Sequence, residues 1–175
     1  AMTSFTAQNL GAGRYDRIKK GTLQSMIVMG GIVLCGVGLG MLLTVNDLYF
    51  HVFLSADKVT AETVRFGNAL LYVDFAMYPF LGGVFLIRNC VQGIGRPSFV
   101  LGAGAAELVA RIAVCLLLPA AVAGGMVSAS ASPLAFYALC AADPMAWIAA
   151  DAVLCVPLIR NIMRMDYRYL RSGQA

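Results

Sequence analysis

Long apolar windows with almost no charge recur along this chain. The first covers residues 26–45 and carries no ionisable side chain. About twenty apolar residues are what a helix needs to cross the hydrocarbon layer of a bilayer. Three further windows, each with at most two ionisable side chains, cover residues 66–87, 99–123 and 145–159. The pattern predicts an all-α integral membrane fold with four transmembrane helices.

These windows set the expected boundaries within one membrane domain. We predict transmembrane helices at residues 23–45, 66–92, 98–123 and 145–162. Around them we expect the end of a preceding span, a cytoplasmic loop and a cytoplasmic tail, at residues 1–8, 9–22 and 163–175 respectively. The Gly-, Ser- and Pro-rich segment 124–142 favours a loop with a short interfacial helix. A fifth span is the alternative interpretation of that segment.

The composition indicates that the bilayer is the solvent of this chain. Hydrophobic residues make up 60% and charged residues 13% of the sequence, with a mean hydropathy of +0.78. Soluble domains carry about 25% charged residues, because their surface must be solvated by water. We therefore expect a multi-pass protein of the cell membrane, plasma or inner, with the lipid bilayer as its first partner.

The basic residues are distributed unevenly about the predicted spans. Ten of the thirteen lie at one set of span ends: Arg14, Arg17, Lys19, Lys20, Arg88, Arg96, Arg160, Arg164, Arg168 and Arg171. Only Lys58 and Arg65 lie at the other. The positive-inside rule then predicts that both chain termini are cytoplasmic. Because the net charge is only +4 and the arginines are dispersed, no nucleic-acid partner is predicted.

The segment between the first two spans carries charges on a helical period. Residues 53–71 alternate acidic, basic and apolar positions, with a helix-start signal at Ser55 or Asp57. We interpret this segment as an amphipathic helix that lies on the outer membrane surface and leads into the second span.

No catalytic or metal site is predicted. The five cysteines have no CxxC spacing, and His51 is the single histidine, so no Cys/His pair can form a metal centre or a nucleophile–base pair. No cofactor is expected. The spacing of Gly36 and Gly40 on the first span indicates close helix packing.

Polar residues at membrane depth are the candidate site. Asn89 and Gln92 near the end of the second span either terminate the helix or line a cavity. On the third span, Glu107 and Arg111 are four residues apart with the acid first, the favourable order for an ion pair. We expect this pair to line the bundle interior or its water-filled cavity and to help hold the third span against the fourth near Asp151, because intramembrane charges are functional candidates by default. A purely structural pair is the alternative.

Four segments in order resemble the multidrug and toxic compound extrusion family. "AMTSFTAQNLGAGRYDRIKKG" resembles the loop that opens its ninth span, "YPFLGGVFLIRNCVQGIGRPSF" the tenth span, "GAGAAELVARIAV" the eleventh and "DPMAWIAADAVLCVPL" the twelfth. The resemblance implies two six-helix bundles around a V-shaped cavity that alternates between the two sides. It also implies export of amphipathic or cationic small compounds, driven by H⁺ or Na⁺.

The resemblance makes this chain the C-terminal portion of such a transporter, the last four of twelve spans. The remaining spans would be its partner, and four spans alone are expected to be inactive. Sodium-coupled relatives carry an acid in the middle of the tenth span, whereas residues 78–86 have none and Asp74 lies too early. That departure favours proton coupling or membership of another branch of the family.

Two other functions remain open. A lipid-linked saccharide flippase of the same superfamily would need a basic cavity for pyrophosphate, and Arg111 alone gives it little support. A stand-alone four-span scaffold, or a dimeric pump like the small multidrug exporters, is the other. Those exporters need an acid in the middle of the first span, and residues 26–45 contain none.

Overall fold

Every regular element in the described part of the chain is helical. The computed structural model describes residues 1–124 and 132–163. The helices are α1 (Met2–Gly11), α2 (Tyr15–Thr44), α3 (Leu48–Phe53), α4 (Ala61–Gly93), α5 (Pro97–Ala123), α6 (Pro133–Leu139) and α7 (Ala142–Pro157). A π-helical segment, Leu158–Met163, continues α7.

Four helical segments are long and apolar enough to cross a membrane. They are α2, α4, α5 and the segment Pro133–Met163, which joins α6 to α7. The predicted all-α membrane fold is confirmed. No residue in the most apolar stretch of α2 is buried, so this helix presents its apolar side chains outward, as a lipid-facing helix does.

The helices extend beyond the predicted spans. α2 begins at Tyr15, so the predicted loop at residues 9–22 is helical except for the turn 12–14, where Gly13 has φ of 65°. A short helix, α6, is present in the segment predicted to contain one. The predicted tail lies outside the described residues apart from Met163, as do residues 125–131. The membrane boundaries themselves stay predictions.

The predicted helix start at Ser55 or Asp57 is wrong, although residues 61–71 of that segment are helical and lead into the second span. Ser55 is extended and makes no capping hydrogen bond, and Asp57 lies in a short 3₁₀ turn. α4 starts after Thr60, whose Oγ1 accepts a hydrogen bond from the backbone N–H of Thr63 at 3.1 Å. A threonine cap satisfies a backbone donor that would otherwise be unpaired, and it is this cap that sets the start of the helix.

α7 lies between α5 and α4, and α4 in turn packs against α2 and α1. Small residues let these helices approach. A Cβ atom on Gly40 of α2 would overlap the Phe75 ring of α4, whereas Gly36 has open space around it. Of the predicted glycine pair, only Gly40 therefore packs against a described helix.

We expect Gly93→Ala to destabilise the fold by about 1–3 kcal/mol, the usual cost of an overpacked site. A Cβ at this position would lie 2.6 Å from the carbonyl oxygen of Thr3 and 2.7 Å from the Cβ of Thr6, both in α1. Gly104→Ala on α5 is the matched control, since nothing lies within 4 Å of its Cβ position. That change should stabilise the helix by up to about 1 kcal/mol. Equal midpoints of thermal unfolding for the two variants in detergent would contradict the packing of α1 against Gly93.

Candidate functional site

Four charged side chains join three membrane-spanning helices. Arg88 of α4 donates from Nη2 to Oε2 of Glu107 on α5 at 3.1 Å. Nη2 of Arg111, also on α5, lies 3.5 Å from Oε1 of Glu107 and 2.7 Å from Oδ1 of Asp143 on α7. Positive and negative groups alternate, so the four charges balance. We call this set, Arg88, Glu107, Arg111 and Asp143, the charge ladder.

Helix geometry places each member of the ladder. Glu107 and Arg111 are one turn apart on the same face of α5. Asp143 lies in the first turn of α7, where the helix dipole favours a negative charge. Arg88 lies in the last two turns of α4, and its long side chain reaches across to α5.

The predicted Glu107–Arg111 pair forms, but its partner on the fourth span differs from the expectation. Arg111 binds Asp143 and not Asp151. Asp151 is eight residues farther along α7, about 12 Å at 1.5 Å per residue. Its carboxylate lies against α4, with Oδ2 only 2.9 Å from where a Cβ on Gly83 would be. The two acids of α7 thus contact different helices.

The other two predicted residues lie apart from the ladder. Asn89 is exposed, accepts a hydrogen bond from Thr3 Oγ1 at 2.9 Å and donates one to the Phe85 carbonyl at 2.7 Å. Gln92 is exposed one turn later. Asn89 therefore ties α4 to α1.

A second feature, on the facing sides of α4 and α7, was missed by the sequence analysis. Asp74 precedes Tyr78 by four residues on α4, and Asp143 precedes Trp147 by four residues on α7. The Tyr78 and Trp147 rings meet edge to face with centroids 6.1 Å apart. Each aspartate lies one helical turn before its ring. We call these four residues the acid–aromatic face; the repeated Asp–x₃–aromatic spacing was its signal in the sequence.

A comparison with protein families shows which family these helices belong to. A family model described as MatE matches residues 1–117, which is α1 through most of α5. The chain belongs to the MatE family. It is therefore part of a membrane transporter family, as the resemblance indicated. No curated protein and no solved structure matches it.

The MatE match covers both arginines of the charge ladder. Asp74, Tyr78, Arg88, Glu107 and Arg111 lie within it, whereas α6 and α7 follow it. The ladder and the acid–aromatic face thus join the matched helices to α7, which carries their remaining members.

Several polar atoms of this MatE chain are buried without a protein partner. Among the described residues they include Oδ1 of Asp74, Oδ1 of Asp151, Oδ1 of Asn68 and Nε of Arg111. Unsatisfied polar atoms are costly at membrane depth. The three oxygens among them can accept hydrogen bonds from a polar or cationic group.

In the part of the chain that the structure describes, no three His, Cys, Asp or Glu side chains are grouped to hold a metal ion. His51 lies on α3, with Nδ1 2.9 Å from the carbonyl oxygen of Asp47. Carboxylates beside aromatic rings attract organic cations through charge and through the ring quadrupole.

We expect Glu107→Gln to destabilise the protein by about 1–3 kcal/mol, the range for hydrogen bonds to charged groups. This change removes the shared partner of Arg88 and Arg111, leaving one arginine with no carboxylate. Asp143→Asn should cost less, because Asp143 is 42% exposed and Arg111 keeps Glu107. Glu62→Gln in the exposed first turn of α4 is the control. Thermal unfolding in detergent compares the loss of stability in the three variants. An equal loss in Glu107→Gln and Glu62→Gln would contradict the contacts of the charge ladder.

Proposed function

We propose that this chain is the C-terminal part of an efflux antiporter that exports amphipathic or cationic compounds in exchange for H⁺ or Na⁺. The family match supports transport in general. The acid–aromatic face is the observation that carries the finer proposal, because it combines the two groups that recognise organic cations within a membrane-spanning bundle.

The cargo follows from the chemistry of the face. The partly exposed Tyr78 ring would offer surface to the apolar part of a ligand, with the buried Trp147 ring packed against it, and Asp74 and Asp143 would offer negative charge to its cationic part. A flippase for pyrophosphate-linked saccharides would need free cationic groups at this depth. Both Arg88 and Arg111 are already bound to carboxylates, which disfavours that alternative.

Asp151 is the residue we propose for coupling to the ion gradient. Its Oδ1 is buried without a hydrogen-bond partner, and its carboxylate lies against the α4 backbone at Gly83. A lone intramembrane carboxylate is suited to take up and release one cation. We favour H⁺, because residues 78–86 of α4 supply no second carboxylate for a sodium site.

Alternating access needs two bundles that rock about a shared cavity. We propose that the remaining spans of the transporter supply the second bundle and that the four spans described here do not export alone. The exposed apolar side chains of α2, including Ile27, Ile32 and Leu34, offer surface for lipid or for such neighbours.

Dye efflux tests the proposed function. We expect the complete reading frame that contains this chain to lower ethidium accumulation in an efflux-deficient strain, and the 175-residue chain to leave it unchanged. In the complete protein, Asp151→Asn should abolish most of the energy-dependent efflux, because the substituted side chain no longer exchanges a proton. Asp57→Asn, in the loop before α4, is the control. Energy-dependent efflux by the 175-residue chain, or full activity of Asp151→Asn, would refute the corresponding part of the proposal.

Cysteine accessibility tests the proposed orientation. In a background without the five native cysteines, we expect Ser55→Cys to react with an impermeant thiol reagent in intact cells. Ala12→Cys, exposed between α1 and α2, should react only after permeabilisation, because the basic residues near it are retained in the cytoplasm. Labelling of Ala12→Cys but not of Ser55→Cys in intact cells would show that the orientation is opposite to the proposed one.

A further inference from the structure

One guanidinium group in the charge ladder has two carboxylates within reach. Nη2 of Arg111 is 2.7 Å from Oδ1 of Asp143 and 3.5 Å from Oε1 of Glu107. The shorter contact holds Arg111 at the acid–aromatic face. The longer one lies on its own helix, one turn earlier.

Arg111 therefore occupies a position that a cationic ligand would take. Asp143 is a member of the acid–aromatic face, and the cation bound to it is the guanidinium group of Arg111. We propose that Arg111 is a tethered cation: it pairs with Asp143 until the cationic group of a substrate displaces it toward Glu107. This inference rests on the proposed function, in which organic cations bind this face.

The two carboxylate oxygens of Glu107 lower the free-energy cost of such an exchange. Oε2 accepts from Arg88, and Oε1 faces Arg111. Glu107 can therefore keep both arginines paired when Arg111 leaves Asp143. An arginine that moved away without a second carboxylate would remain as an uncompensated charge, which is strongly unfavourable away from water.

The exchange would also favour cationic ligands over neutral ones. A cationic ligand restores a partner to Asp143 when Arg111 leaves. A neutral ligand of the same shape would leave the Asp143 carboxylate unpaired, and that penalty discriminates against it. Arg111 thus acts as a specificity-determining residue for the proposed transport.

The position of the single tryptophan supplies a direct readout. Trp147 is the only tryptophan in the chain and its ring contacts Tyr78 in the acid–aromatic face. We would titrate the purified chain in lipid nanodiscs with tetraphenylphosphonium and follow Trp147 fluorescence. Triphenylphosphine oxide is the neutral control ligand and should give no saturable change.

Arg111→Gln should bind tetraphenylphosphonium about tenfold more tightly than the wild-type chain, equivalent to about 1.4 kcal/mol. The substitution removes the internal competitor and leaves Asp143 free for the ligand. Arg160→Gln, which removes a positive charge near the opposite end of the α7 segment, should bind as the wild type does.

A double-mutant cycle separates displacement from a general effect of charge. In the Asp143→Asn background Arg111 no longer competes at that position, so adding Arg111→Gln should leave the affinity unchanged. A general electrostatic effect would give the same tightening in both backgrounds, and that result would overturn the inference.

The remaining outcomes are equally decisive. Unchanged or weaker binding by helical, monodisperse Arg111→Gln would overturn the tethered cation and leave the proposed function standing. Absence of saturable binding by every variant, including the wild type, would instead contradict cation binding at the acid–aromatic face, the observation that carries the proposed function. If Arg111→Gln loses its helical circular dichroism, Arg111→Lys replaces it. Lysine has a shorter side chain and lacks the guanidinium that lies between Asp143 and Glu107, so its variant should bind the cation more tightly than the wild type, and equal affinity would overturn the inference.

Discussion

The contact between Arg111 and Asp143 is the interaction on which the candidate site depends. At 2.7 Å it joins α5 to the start of α7, inside segments long enough to cross a bilayer. A charge in a membrane helix is costly unless it is paired or solvated. With Asp143 as its partner, Arg111 lies at the face where Tyr78 and Trp147 meet.

The helix arrangement supplies the rest of that environment. α7 packs against both α5 and α4, and Leu154 and Ala150 are buried in the core that it forms with them. The same helix therefore presents Asp143 to α5 and Asp151 to α4. α7 therefore carries Asp143 in an ion pair and, two turns later, Asp151, whose Oδ1 has no hydrogen-bond partner among the described residues.

The sequence predicts the parts of this structure that are local. Hydropathy windows identify the long helices because bilayer thickness fixes their length, and the spacing of Glu107 and Arg111 identifies their pair because one helical turn fixes it. The partners Arg88 and Asp143 lie on other helices, so their positions depend on packing. The start of α4 at Thr60 was missed because Ser55 and Asp57 are equally plausible caps by residue type.

Family membership and local geometry carry different parts of the account. The MatE match establishes a transporter family without naming a cargo. The acid–aromatic face supplies the argument for cations, and the alternating charges of the ladder show how the bundle holds two arginines without an excess of positive charge.

Solid-state NMR in lipid bilayers tests the Arg111–Asp143 contact most directly. Among the ion pairs of the described residues, it is the only one between an arginine and an aspartate. The chain would be labelled with ¹⁵N in arginine side chains and ¹³C in aspartate carboxyl groups. The account predicts a strong dipolar coupling between the Arg111 and Asp143 resonances, assigned with Arg111→Gln and Asp143→Asn, that is lost in Arg111→Gln and weakens when tetraphenylphosphonium is added. No coupling in the wild-type chain, or a coupling that persists in Arg111→Gln, would contradict it.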